Sequence, residues 1–262
     1  MISVLTPTYN RAYILTRLYD SLLKQVTKEF EWVVIDDGSD DGTDNLIAEF
    51  QEQNVVKIIY VKQKNMGKPQ ALNSGVKHCS GEYILIVDSD DALTDDAIYS
   101  LNESIKISEQ DQKEISGVCF RRAYFNNEII GNKFNDTQNN TCYLHATDAG
   151  HYFNGDLAYC FKKSMMLKYP FPHFPDEKFV PELFIWNKIS DQAPVKFHKS
   201  KAIYFSEYLD DGLSKNFHLQ LKANPRGFGL YYKDQFRREA NVIKKIKMLV
   251  RYFQCRIYGL LK

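Results

Sequence analysis

Gly81-Glu82-Tyr83-Ile84-Leu85-Ile86-Val87-Asp88-Ser89-Asp90-Asp91 decides how this chain is read. A turn glycine opens the stretch, and an apolar run of strand length follows. Three carboxylates then fall within the last four positions. An apolar run bounded in this way reads as a strand buried on both faces, hence part of a parallel sheet. Open α/β sheets bind ligands beyond the carboxyl ends of their strands. Asp88, Asp90 and Asp91 are therefore expected at the mouth of a cleft. Like charges so close repel unless a cation lies among them. A hard divalent ion that keeps coordination positions for phosphate oxygens suits such ligands. The alternative is a solvated acidic loop capping the next helix, since Thr94, Asp95 and Asp96 suit a helix start.

Upstream, the pattern alternates. Ile2 to Leu5 reads as a short strand that Pro7 stops, and Ala12 to Gln25 has helical spacing. Phe30 to Ile35 is a second strand, ending in the turn-rich acidic loop Asp36-Asp37-Gly38-Ser39-Asp40-Asp41-Gly42-Thr43. A helix runs from there to about Gln53. Val55 to Val61 is the third strand, and Pro69 to His78 a helix with proline near its first turn. Strand alternating with helix predicts an α/β fold with a parallel sheet and right-handed crossovers. The first strand is followed by no G-x-G-x-x-G, and no G-x-x-x-x-G-K-[ST] occurs, which argues against a dinucleotide fold and a P-loop.

Downstream the pattern changes. A helix is expected over about Thr94 to Ser108, and strands over Ile115 to Tyr124, Leu157 to Phe161, Val195 to Phe197 and Ala202 to Phe205. Asn126-Asn127 reads as a turn, 132–141 as a polar loop and Val180 to Ile189 as a helix. The expected division is a first half over 1–109, a second half of the same domain over 110–214 that completes the cleft, and a basic helical tail over 215–262. With 262 residues and a net charge of +1, the chain is no obvious nucleic-acid binder. Its five scattered cysteines form no C-x-x-C pair. Together with the lack of a signal peptide, this leads us to expect reduced thiols in the cytoplasm.

In this reading four strand-end loops meet at one edge. They carry Pro7, Thr8 and Tyr9; Asp36 and Asp37; Lys68; and Asp88 with Asp90. A uracil ring needs a partner for its N3–H and a flat surface, which Asp37 and Tyr9 could supply. A ribose needs an acceptor such as Asp88. A pyrophosphate needs positive charge, from a metal on Asp90 and from Lys68. Taken singly, Asp36-Asp37-Gly-Ser reads more readily as a self-bonded turn, and Tyr9 as core packing. Glu182 follows Pro181 near a helix start among apolar residues. There an acid either complements the helix dipole or is a partly desolvated carboxylate suited to proton abstraction.

The chain resembles the glycosyltransferases of family 2, with the GT-A fold, most closely the bacterial members that build surface polysaccharide such as capsule or O-antigen. The resemblance rests on Leu5-Thr6-Pro7-Thr8-Tyr9-Asn10-Arg11, Val34 to Thr43, Asn65-x-Gly67-Lys68-x-x-Ala71-x-Asn73-x-Gly75, and Gly81-Glu82-Tyr83-Ile84 running into Asp88-Ser89-Asp90-Asp91. These pieces cover residues 1 to about 100. The resemblance implies a donor-binding half over 1–109, an acceptor-binding half over 110–214, and a donor nucleotide, usually UDP, with Tyr9 and Asp37 at the base, Asp88 on the ribose side and Ser89 also among the nucleotide-binding residues. Asp90 would bind Mn²⁺ or Mg²⁺. It further implies an inverting displacement onto a hydroxyl of a glycan or lipid-linked oligosaccharide. The family's base stands four residues before a bulky apolar residue and six before an Arg, and Glu182 stands so before Trp186 and Lys188. In the family that base is usually the second acid of a Glu-Asp pair; here Pro181 stands in place of the first acid and Lys188 in place of the Arg, and Asp176 and Glu177 are nearby competitors. Arg11, Asp91 and His198 complete the residues of interest. Glu207 to Ser214 resembles a mobile loop near the donor phosphates.

Two other readings stand beside this one. A nucleotidyltransferase making NDP-sugars would want a Gly-rich basic loop after the first strand, which Thr6 to Asn10 is not. A non-catalytic nucleotide- or glycan-binding protein would bind without turnover. Residues 233 to 262 hold nine Lys or Arg against Asp234 and Glu239, with apolar residues at helical spacing. That pattern suits either an interfacial helix on an anionic membrane, peripheral on the inner face of the plasma membrane, or a helix packed on the core with a solvated basic face.

Overall fold

The computed structural model describes residues 1–134, 140–207 and 217–262. Its first half alternates β1 (Ile2–Thr8), α1 (Ala12–Leu23), β2 (Phe30–Asp36), α2 (Thr43–Glu52), β3 (Lys57–Lys62), α3 (Lys68–His78) and β4 (Tyr83–Ile86). Then come β5 (Ala92–Leu93), α4 (Ala97–Gln110), β6 (Gly117–Ala123), β7 (Thr141–Leu144), α5 (Ala146–Phe153), β8 (Leu157–Lys162), α6 (Lys163–Lys168), α7 (Leu183–Ser190) and β9 (Val195–Phe205). The chain ends in α8 (Phe217–Ala223), α9 (Pro225–Arg238) and α10 (Val242–Leu260).

Among the described residues, nine strands form one mixed sheet in the order β3-β2-β1-β4-β8-β6-β9-β5, with β7 on β9. β3, β2, β1 and β4 are mutually parallel, whereas β8 runs antiparallel to both β4 and β6. β1, β2 and β4 bury both faces, which explains their nearly unbroken apolar runs, whereas the edge strand β3 is only half-buried. Val4, Trp32, Val34, Leu85 and Val87 join one core with α1, α2 and α4. Leu5, Val33, Ile35, Ile84 and Ile86 join the other, with α3, α5 and α7. A third, small cluster holds α8, α9 and α10 together around Leu221, Phe228, Tyr232 and Cys255.

Three expectations change. β9 is continuous where two strands are expected. Its polar middle, His198 to Lys201, is held by β7 and by Asn140, which bonds Lys199 N and Ser200 Oγ at 2.8 and 2.6 Å, while the register on β6 slips beside Cys119. α5 escapes sequence reading because its polar, Gly150-containing stretch lacks a clear apolar period. It starts where His145 Nδ1 accepts from Thr147 N at 3.2 Å. α7 begins at Leu183 because Pro181 and Glu182 form its lead-in turn. Residues 208–214 of the expected mobile loop lie outside the described residues.

Glu31 ties the amino ends of the strands. Its buried carboxylate accepts from Ser3 Oγ at 2.7 Å and from Ser80 Oγ at 2.5 Å, and pairs with Lys57 Nζ at 2.8 Å. Burial alone would raise this acid, but these partners outweigh it and hold it down at about 2. Its stabilisation is therefore complete above the unfolded value of 4.5 and fades as pH falls toward 2. Glu31→Gln is expected to cost on the order of 3 kcal/mol at neutral pH and to flatten the loss of stability between about pH 4.5 and 2. Urea unfolding of both proteins across that range checks this.

Candidate active site

β1, β2 and β3 end side by side, with Thr8 opposite Asp36 and Asp36 opposite Lys62. Asp37 N donates to Thr8 O at 2.8 Å, and Gln63 N to Asp36 O at 2.9 Å, so the three loops leave the sheet as one shelf. Asp36 and Asp37 brace that shelf. Asp36 accepts from Ser39 N and Tyr60 Oη at 2.7 and 2.6 Å. Asp37 accepts from Gln63 Nε2, Met66 N and Gly67 N at 2.8, 2.9 and 2.7 Å. A carboxylate offers roughly four acceptor positions, so Asp37 keeps about one open. Pro7 and Thr8 are buried, while the Tyr9 ring is half exposed. Thr8 Oγ1 and Asn65 Oδ1 are buried without a partner among the described residues, and such orphaned atoms call for an explanation. Arg11 precedes α1 and donates to Tyr13 Oη.

Gly67 brings the shelf to the second half of the molecule. It has φ +88°, and a Cβ there would stand 2.1 Å from Lys178 O, so no side chain fits. Lys68, the next residue, opens α3 and reaches across to both halves. Its Nζ lies 2.5 Å from Asp88 Oδ1 and 2.8 Å from Glu182 Oε1. Burial alone would lower the ammonium, but the two carboxylates outweigh it and hold it well above the ordinary lysine range.

β4 stops as expected. Val87 N still bonds Leu5 O at 3.0 Å, and the chain then turns, with Asp91 N on Asp88 O at 3.2 Å. Tyr204 Oη accepts from Asp88 N at 2.9 Å and donates to Asp91 Oδ2 at 2.7 Å. Arg122 Nη1 stands 3.8 Å from Asp88 and 3.5 Å from Asp91, its guanidinium 3.9 Å over the Tyr204 ring. Burial would raise Asp88, yet Lys68 and Arg122 hold it below the usual carboxylate range. Asp91 is pushed up to about 7 by burial and by Asp88. Ser89 is buried between them.

Asp90 differs from its neighbours. Its carbonyl accepts from Arg17 Nη1 at 3.1 Å, but no side chain among the described residues pairs with its carboxylate. Burial and Asp88 raise that acid. No group of three or more His, Cys, Asp or Glu forms a metal cage among the described residues. An unpaired strand-end carboxylate beside a second one fits a hard cation held by one or two acids that completes its shell with phosphate oxygens.

Glu182 directly precedes α7, its carbonyl accepting from Ile185 N and Trp186 N at 2.9 and 3.1 Å. The competing acids are engaged elsewhere. Asp176 pairs with Arg226, and Glu177 accepts from Arg226 N and Gly227 N at 2.9 Å, capping α9. Lys188 faces α9, 3.3 Å from Asp234, and Asn187 Nδ2 donates to Asp234 at 3.2 Å, so these two residues fix α7. Trp186 is buried against Phe161 at 4.9 Å. Asp88, Arg122 and Glu182 open onto a cavity of about 370 Å³ that reaches Asp156, Tyr159 and Trp186.

His198 does not join this group. It stacks on Phe120 at 3.9 Å and meets Ser104 Oγ at 2.7 Å, and burial with Lys196 and Lys201 lowers it to about 4. Arg122 and Tyr204 belong to the site although no sequence motif marks them. Two adjacent arginines in an otherwise apolar strand are the available signal, because strand alternation sends them to opposite faces. Arg121 indeed goes the other way, to Ile130 O and Lys199 O at 2.7 and 2.8 Å.

The family model described as Glycosyl transferase family 2 matches residues 3–164. The chain belongs to that family. Among curated relatives, Glycosyltransferase GlyA of Streptococcus pneumoniae serotype 4 is 38% identical over 104 residues, 40% of this chain and 15% of that protein. Poly-beta-1,6-N-acetyl-D-glucosamine synthase of Staphylococcus epidermidis is 35% identical over 105 residues, 40% of this chain and 25% of that protein. The matches thus span well under half of those relatives. The fold is shared with S. aureus TarS 1-349 in complex with UDP-GlcNAc. That match has a TM-score of 0.71 and 19% identity, and covers 97% of this chain and 72% of that one. It is shared too with the mannosyltransferase PcManGT from Pyrobaculum calidifontis in complex with GDP-Man and Mn2+. Here the TM-score is 0.61 at 18% identity, covering 96% and 69%. The family and these neighbours make the architecture GT-A.

Proposed function

We propose that this chain is an inverting glycosyltransferase, moving a sugar from a nucleotide diphosphate donor to a hydroxyl of a glycan or lipid-linked oligosaccharide. The observation that carries this is Lys68 Nζ between Asp88, which follows β4, and Glu182, which precedes α7, two acids that both line the cavity. In the mechanism, Glu182 takes the proton of the acceptor hydroxyl through a carboxylate oxygen. The hydroxyl oxygen bonds the anomeric carbon as the bond to the diphosphate breaks, and the diphosphate leaves with the electron pair. Lys68 lies where it can neutralise a diphosphate oxygen, and together Lys68 and Arg122 hold Asp88 below the usual carboxylate range. Mn²⁺ or Mg²⁺ on Asp90, with Asp88 alongside, would supply charge neutralisation for the departing diphosphate. The nucleotide base fits the shelf, where the exposed Tyr9 ring, the open Asp37 position and the orphaned Thr8 Oγ1 lie.

UDP is the donor nucleotide in this reading, supported by the TarS neighbour's ligand, and the synthase relative's name supports a role in polysaccharide synthesis. A thermal-shift panel of nucleotide sugars with and without Mn²⁺ or Mg²⁺, followed by turnover of the best binder, tests it. Cation-dependent stabilisation and release of nucleoside diphosphate are expected. Tight nucleotide binding with no turnover would favour a non-catalytic binding protein.

A further inference from the structure

α10 presents an apolar face that the fold leaves uncovered. The helix packs on α9 through Met248, Tyr252, Cys255 and Tyr258. With 3.6 residues per turn, Val242, Ile246, Val250, Phe253, Ile257 and Leu260 align on the opposite side. Each is between 56% and 82% exposed. The stripe therefore runs the length of a 19-residue helix, about 28 Å. The same geometry sets Lys247 on one flank of the stripe and Lys245 with Arg256 on the other. Residues 242–260 contain five cations and no acid. No helix among the described residues is long and apolar enough to cross a membrane.

We propose that this face lies in the interfacial zone of an anionic lipid bilayer. An apolar stripe flanked by cations matches acyl chains beneath a negative headgroup layer. A second copy of the chain fits less well. Stripe-to-stripe pairing would bring cationic flanks together, with no carboxylate in either helix to offset them. The helix is tied to the site: Lys262 Nζ donates to Asp176 O and Ala223 O at 2.8 and 2.7 Å, and Asp234 of α9 holds Lys188 and Asn187 of α7. Docking would thus hold α7, and the cleft at its amino end, at a fixed height above the lipid. The inference does not depend on the chemistry proposed for that cleft.

The test is co-sedimentation of the full chain with vesicles of phosphatidylcholine alone or mixed with phosphatidylglycerol. Wild type is expected to pellet with the anionic vesicles and to be released as salt rises. The triple variant Ile246→Ser, Val250→Ser, Phe253→Ser should stay in the supernatant. All three side chains are exposed, so its melting temperature should match wild type. Lys247→Gln with Arg256→Gln should weaken binding by about tenfold or more. Wild type that ignores anionic vesicles, or a triple variant that pellets as wild type does, would overturn the proposal. So would a dimer in sedimentation velocity that the triple variant disperses, with no recruitment to vesicles.

Discussion

Glu182→Gln is expected to lower glycosyl transfer by about 10²- to 10⁴-fold while donor affinity stays within a few-fold of wild type. The substitution keeps the size of the side chain and its place before α7. It removes the group that can accept the acceptor's proton. Lys68 still has Asp88 at 2.5 Å, so the ammonium keeps a counter-charge and the donor side keeps its shape. The neighbouring acids offer no substitute, because Asp176 and Glu177 are committed to Arg226 and the start of α9. Isothermal titration with the donor, alongside turnover, separates the two effects. A variant that transfers normally would remove Glu182 as the base. One that loses binding and turnover together would make Glu182 a partner of Lys68 only.

Asp90→Asn should have a comparable effect by a different route. A cation that neutralises the departing diphosphate contributes several kcal/mol, so transfer is expected to fall at least about 10²-fold. The thermal shift that Mn²⁺ produces with the donor should vanish as well. The folded protein itself should not suffer. Burial and Asp88 already disfavour the Asp90 charge, so the neutral amide should leave the melting temperature unchanged or raise it. Calorimetry with and without Mn²⁺ reads both outcomes. An undiminished Mn²⁺ response in this variant would move the cation to other ligands.

The first half of the fold was legible because β1, β2 and β4 are covered on both faces. Continuous apolar runs such as Tyr83 to Val87 then mark strands, and the loops after them mark the edge where ligands meet. The second half was harder for physical reasons. β9 carries a polar middle stabilised by β7 and Asn140, which local sequence does not reveal. In the site, Asp88 and Glu182 could be singled out from position in the chain. Their meeting through Lys68 required tertiary contact, as did the clasp of Arg122 and Tyr204 around Asp88 and Asp91. The two acids after β2 illustrate the limit of motif reading. The residue types are those a nucleotide base needs, yet most of their hydrogen-bonding capacity goes to holding the loops in place.

Everything proposed for the cleft requires an acceptor to attack from the Glu182 side while the diphosphate departs on the Asp88 and Asp90 side. Time-resolved proton NMR of the sugar released when water serves as acceptor reads that geometry directly. With an α-linked donor, the first product to appear should be the β-anomer, and α-sugar should follow only by mutarotation. Release of the α-anomer at the earliest time points would contradict the single displacement and the role given to Glu182.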